Sequence, residues 1–131
     1  MAKRILVVED NPDNMYVMDR LLTHYGYAVQ QAASGEEALN LLRQMPFDLV
    51  FMDMQMPGLD GYATVRTLRE LPALEHVPVI AITANSMPGD RERSLSAGCT
   101  DYVAKPIDTR AVVRLVERYL GGSRRGDNPN R

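Results

Sequence analysis

One cysteine, Cys99, occurs in the 131 residues, so no internal disulfide framework can form, and that usage fits a reducing compartment. The two histidines, His24 and His76, stand alone, and no Cys/His spacing suits zinc. No Gly-Lys-Ser/Thr run of the phosphate-loop kind exists, so ATP is not an expected ligand. The stretch Asp53-x-Gln55-x-Pro57-Gly58 lacks the closing glutamate of a calcium loop, with Thr64 in its place. Positive charge is not in excess: 15 Lys and Arg face 17 Asp and Glu, for a net charge of −2, which gives no basic field for nucleic acid. No apolar run approaches the roughly 20 residues that span a bilayer. The four apolar residues Ile5 to Val8 before Glu9-Asp10 are too few for a signal-peptide core. The expectation is a cytoplasmic protein with neither a membrane nor a direct nucleic-acid partner. At this length one domain is expected, with no repeats and no internal linker.

What is present is an alternation of short apolar runs with helical patterns. Ile5-Leu6-Val7-Val8 reads as a buried strand ending at Glu9-Asp10, and Asn11-Pro12 then supplies a helix cap and a first-turn proline. Met15, Met18, Leu21, Leu22 and Tyr25 recur at helical spacing until Gly26. Tyr27 to Ala32 reads as a weaker strand whose Gln30 and Gln31 suit an edge position. Ser34-Gly35-Glu36-Glu37 is a capping box opening a helix that carries Ala38, Leu41, Leu42 and Met45. Leu49 to Met52 is a continuous apolar strand that stops at Asp53, and Pro57-Gly58 turns the chain after it. Asp60 is positioned to cap a helix with Val65, Leu68 and Leu71 on one face, and a fourth strand, Val77 to Ile82, ends at Thr83. Asp90 to Ala97 reads as a helix with only Leu95 and Ala97 as its apolar face, loosely held for that reason. A fifth strand, Asp101 to Ala104, ends at Lys105-Pro106, and Asp108 caps a last helix with Val112, Leu115, Val116 and Tyr119 inward. Residues 121–131 contain no apolar residue and are expected to form a disordered polar tail.

Five strand–helix alternations imply an α/β fold with a parallel sheet and helices on both faces. Right-handed crossovers make the flavodoxin-like, doubly wound order 2-1-3-4-5 the natural arrangement of five strands. Strands one and three then lie side by side, and Glu9, Asp10 and Asp53 converge at the carboxyl edge, with Thr83 and Lys105 from the next strand ends. Three carboxylates in one crevice repel by roughly 4 kcal/mol per pair at a spacing of about 4 Å and an effective dielectric near 20, so a cation or a raised pKa is required. An all-oxygen set suits Mg²⁺ or Mn²⁺ better than zinc or copper. Lys105 and Thr83 are suited to phosphoryl oxygens, and Asp53 is placed to be an in-line nucleophile forming an acyl phosphate. Two functions fit these residues. One is a phosphoacceptor module, and the other is a Mg²⁺-dependent aspartyl-phosphate phosphatase acting on small molecules. The phosphatase reading needs a general acid two residues after the nucleophile, where this chain has Gln55.

The motifs together resemble the receiver domain of two-component response regulators, the family of the bacterial chemotaxis receiver. The resemblance covers about residues 3–120 and rests on Glu9-Asp10, on Asp53 with Met56-Pro57-Gly58 and Asp60-Gly61, on Thr83-Ala84, and on Tyr102 with Lys105-Pro106. Departures are a glutamate at position 9 and a tyrosine at 102, both common alternatives in that family. The resemblance implies a receiver domain over residues 1–120 in which Asp53 is the modified residue. It implies that Asp10, Asp53 and the backbone carbonyl of Gln55 hold Mg²⁺ directly, with Glu9 acting through water. Thr83 and Lys105 would bind the phosphoryl group, Thr83 and Tyr102 would form the switch, and the peptide before Pro106 would be cis. Gln55 and Asn85 would tune the lifetime of the phosphoryl group. The implied activity is limited to the domain's own phosphorylation and dephosphorylation. The implied partners are a sensor histidine kinase or a histidine phosphotransfer protein, and a downstream protein at the fourth helix, fifth strand and fifth helix.

Overall fold

The structure, a computed structural model, describes residues 2–56, 61–84 and 88–121. The expected turn at Pro57-Gly58, the cap at Asp60, Asn85 and the polar tail beyond Gly121 lie outside them. Five parallel strands, β1 (Arg4–Val8), β2 (Ala28–Ala32), β3 (Leu49–Asp53), β4 (Val79–Thr83) and β5 (Asp101–Ala104), form one sheet in the order β2-β1-β3-β4-β5. They alternate with α1 (Pro12–His24), α2 (Gly35–Gln44), α3 (Gly61–Arg69), α4 (Asp90–Ala97) and α5 (Thr109–Leu120).

The period-two pleat divides the core into two halves. Leu6, Val8, Val50, Met52, Val79 and Ala81 point to one face, where Ala38 and Leu42 of α2, Val65 and Leu68 of α3 and Ala97 of α4 cover them. Ile5, Val7, Leu49, Phe51, Ile80 and Ile82 point to the other, against Met15, Met18 and Leu22 of α1 and Val112, Leu115 and Val116 of α5. The central strands β3 and β4 are buried at every residue, whereas β2 is largely exposed at the sheet edge, as its glutamines predict. Each large aliphatic side chain so buried contributes about 1.5–3 kcal/mol, and together they fix which edge of the sheet carries the strand ends.

The helix signals are realised locally. Asn11 caps α1 by accepting the Asn14 N–H at 3.0 Å, and Asp108 caps α5 through the Arg110 N–H at 2.9 Å. Ser34 accepts the Glu37 N–H at 3.1 Å, but the Glu37 carboxylate reaches back one residue further than a standard capping box, to the Ala33 N–H at 2.8 Å.

Several boundaries differ from the sequence expectation, among them α2, which ends at Gln44 with Met45 extended. Tyr27 is not in β2, because its N–H donates to the Leu22 carbonyl at 3.1 Å and closes the end of α1. β4 starts at Val79 rather than Val77, since Pro78 has no N–H for the ladder and the Val77 carbonyl is taken by Arg69 Nη1 at 2.7 Å. α3 ends at Arg69, before Leu71, which precedes Pro72 and is extended (ψ 121°). A single 3-10 turn, Pro72–Leu74, then inserts Leu74 into the core. In α4 the inward residues are Asp90, Ser94 and Ala97, while Leu95 is 37% exposed, so the apolar face is narrower than the sequence suggested.

Candidate functional site

The carboxyl edge of the sheet gathers the acidic residues as the topology requires. β1 runs one hydrogen bond past its last residue, with the Glu9 N–H donating to the Ala32 carbonyl at 2.9 Å, and this fixes the loop that carries Glu9 and Asp10. Asp53 ends β3, immediately beside β1. One carboxylate oxygen from each of Glu9, Asp10 and Asp53 lies within 4.8 Å of the others, with Asp10 exposed and the other two buried. A close approach also shapes the site: a Cβ on Gly61, at the start of α3, would lie 2.8 Å from Met54 Cα. Only glycine lets α3 begin against the chain that leaves Asp53.

Asp53 is 1% exposed and is held from both sides. Its Oδ1 accepts the Gln55 backbone N–H at 2.9 Å, and its Oδ2 accepts the Lys105 ammonium at 3.1 Å. Lys105 is aimed there by the end of β5, where its own N–H donates to the Thr83 carbonyl at 2.8 Å and the peptide to Pro106 is cis. Thr83, fully buried, is one residue beyond Ile82, the register partner of Asp53 on β4.

Glu9 is 2% exposed, and its Oε2 accepts the Asn11 N–H at 3.1 Å. Burial first, then proximity to Asp53 close enough to share a proton, pushes its pKa up to about 7. Without that proton Glu9 Oε1 is buried with no donor. An orphaned carboxylate oxygen on a residue clustered with two more carboxylates is a donor set that fits a hard divalent cation, and so the cluster can hold a metal.

The sequence-predicted residues Glu9, Asp10, Asp53, Gln55, Thr83 and Lys105 thus meet at one edge. Tyr102 lies further along, half-buried in β5 against the α3–α4 side of the core, with the Arg91 guanidinium 5.6 Å from its ring centroid. Sequence reasoning singled out the Gln55 amide but did not foresee its hydrogen bond: its Oε1 accepts the Ala84 backbone N–H at 2.8 Å and bridges the ends of β3 and β4. It also missed Arg69, which donates to the carbonyls of Gly98 (2.9 Å), Leu74 (2.6 Å) and Val77 (2.7 Å) at the opposite edge. Cys99 is buried beside it, its thiol pushed up to about 12 by burial, so it is an inert core residue.

A parallel five-stranded sheet in this order, with acids at the β1 and β3 ends and a lysine at the β5 end, defines a class of phosphoacceptor fold. Residues 5–117 match the family described as the response regulator receiver domain. The chain is 40% identical over 121 residues to the polar-differentiation response regulator DivK of Brucella ovis, covering 92% of this chain and 98% of that one. It is 41% identical over 123 residues to the signal transduction histidine-protein kinase BarA of Escherichia coli, covering 94% of this chain but only 13% of the kinase. The chain therefore spans about an eighth of that relative's length. The receiver domain of the sensor histidine kinase PA1611 from Pseudomonas aeruginosa, solved with magnesium in its active-site cleft, superposes with a TM-score of 0.84 at 40% identity, over 92% of this chain and 99% of that one. The chain belongs to the response-regulator receiver family and is a receiver domain of two-component signalling.

Proposed function

We propose that Asp53 is the phosphoacceptor. The observation that carries this is the clamping of a buried carboxylate at a strand end by Lys105 and the Gln55 N–H, beside two further acids. An Asp53 carboxylate oxygen attacks the phosphorus of a phosphohistidine. The P–O bond forms as the P–N bond breaks, and the imidazole leaves with the electron pair and takes up a proton. Water later attacks the phosphorus of the acyl phosphate and regenerates the carboxylate, so the domain acts only on itself. Lys105 keeps its ammonium against the reacting oxygens, and Thr83 presents its hydroxyl from the adjacent strand end. Asp10, Asp53 and the Gln55 carbonyl would hold Mg²⁺, or Mn²⁺, with Glu9 behind them. The ion would supply positive charge to the transferring group. Gln55 stands where a small-molecule phosphatase needs an acid. A neutral amide whose oxygen already accepts the Ala84 N–H has no proton to give and recover.

The phosphodonor is a histidine kinase or phosphotransfer protein in the cytoplasm, and the receiver unit spans residues 1–120 with residues 121–131 as a polar tail. The output face is α4, β5 and α5, with Thr83 and Tyr102 relaying the change. Two features support this face. Tyr102 is half-buried beneath an α4 arginine, and α4 itself buries little apolar surface. On α5, Arg118 is paired with Asp101 of β5 at 3.2 Å, whereas Arg110 and Arg114 line a groove with Leu21 and Tyr25 of α1. Intact-mass spectrometry after acetyl phosphate and Mg²⁺ tests the site: a phosphoryl adduct forms on the wild type and not on Asp53→Asn. An adduct of equal yield on the variant overturns the assignment.

A further inference from the structure

We propose that the Gln55 side chain is a latch on the unphosphorylated domain. Its amide oxygen occupies the Ala84 backbone N–H that an oxygen of the phosphoryl group would take. The proposal rests on Asp53 being the phosphoacceptor. β3 and β4 pair in parallel with Asp53 opposite Ile82, and the Met54 N–H donates to the Ile82 carbonyl at 2.9 Å. In an evenly spaced parallel ladder the next donor due on β4 is the Ala84 N–H, aimed back across at the end of β3. No β3 carbonyl receives it. The Gln55 Oε1 does, at 2.8 Å.

That N–H therefore points toward the segment that begins at Asp53. Two other donors of the site, the Gln55 N–H and the Lys105 ammonium, already sit on the two oxygens of Asp53. A phosphoryl group brings three strong acceptor oxygens and almost two negative charges. A charged oxygen outcompetes a neutral amide for a backbone N–H. Phosphorylation thus exchanges one acceptor for the other and sends the exposed Gln55 side chain into solvent. The length of glutamine is what makes the latch. Asparagine is one methylene short of the Ala84 N–H, and glutamate would set a negative charge against the incoming phosphoryl group. Because Ala84 follows Thr83 directly, releasing the latch frees the first residue of the connection toward α4 in the same step.

The test uses the full chain as wild type, Gln55→Met (similar length, no amide acceptor) and Gln55→Asn. Amide hydrogen exchange is first read without metal or ligand. Ala84 is protected in the wild type and exchanges at least several-fold faster in both variants. Beryllofluoride with Mg²⁺ is then titrated as a phosphoryl mimic and followed by NMR. Both variants bind it about two- to tenfold more tightly than the wild type, the range set by the net worth of one hydrogen bond, and Ala84 protection becomes equal in all three complexes. Equal exchange at Ala84 in the free proteins, or equal or weaker beryllofluoride affinity in both variants, overturns the latch. A wild type that binds no beryllofluoride overturns the Asp53 assignment with it, whereas normal wild-type binding with unchanged variants removes the latch alone.

Discussion

Glu9→Gln should make the metal-free domain more stable at pH 8 and leave it unchanged at pH 4. Burial and the neighbouring Asp53 raise the Glu9 pKa from its ordinary 4.5 to about 7. Below pH 4.5 the residue is protonated in both folded and unfolded states and adds no pH dependence. Between 4.5 and 7 the unfolded chain loses this proton while the folded one keeps it, so the folded state binds more protons and stability falls as pH rises. Above about 7 the loss is complete. With one pKa unit worth about 1.4 kcal/mol, the full effect is at most about 3 kcal/mol. Glutamine keeps an acceptor for the Asn11 N–H and supplies a fixed donor toward Asp53, so the variant lacks this slope. Urea unfolding of both proteins in EDTA from pH 4 to 8.5 gives the difference directly, with every other titration common to the two. A gap between them that is the same at pH 4 and pH 8 would refute the account of Glu9, as would a wild type that gains on Glu9→Gln with rising pH.

Three other outcomes are expected. Asp10→Asn weakens Mg²⁺ binding more than Glu9→Gln, read by tyrosine fluorescence or NMR titration, because Asp10 is the exposed member of the acidic set and Glu9 stands behind it; equal weakening would mean that the two positions are wrongly ranked. Arg69→Met strips the donors from three carbonyls and destabilises by about 3 kcal/mol in urea, while beryllofluoride affinity of the folded protein is unchanged. Gly61→Ala places a Cβ 2.8 Å from Met54 Cα, which costs about 1–3 kcal/mol and weakens Mg²⁺ binding by moving the chain behind Asp53.

The sequence was most readable where the structure is most repetitive. Ile5 to Val8, Leu49 to Met52 and Val79 to Ile82 are apolar on both sides because both faces of the sheet are covered, and strand direction alone then delivers Glu9, Asp53, Thr83 and Lys105 to one edge. Caps at Asn11, Ser34 and Asp108 were readable because their hydrogen bonds span only two or three residues. Contacts between side chains and distant backbone leave no periodic trace. Gln55 reaches a residue 29 positions away, and Arg69 reaches Gly98 over the same separation. Leu95 misled for a related reason: α4 turns Ser94 and Asp90 inward, and a polar buried face has no hydrophobic signature to read.

The placement of Arg69 has a mechanical consequence for α4. The Gly98 carbonyl at the end of this helix is fastened to the guanidinium at 2.9 Å, and the Cys99 and Thr100 N–H groups bond onward to Ser94 and to Val79 of β4. The other end of the helix, at the carboxyl edge of the sheet, rests partly on the sliding faces of guanidinium and ring, Arg91 over Tyr102 and Arg93 over Tyr62. Eight residues at 1.5 Å each make a rigid arm of about 12 Å. Its hydrogen-bonded end lies at the edge remote from Asp53. A swing of about 10° around that end carries the near end through about 2 Å on an arm of this length, the span of one side-chain contact. Such a swing would be largest beside Asp53 and would leave the hydrogen bonds of Arg69 in place.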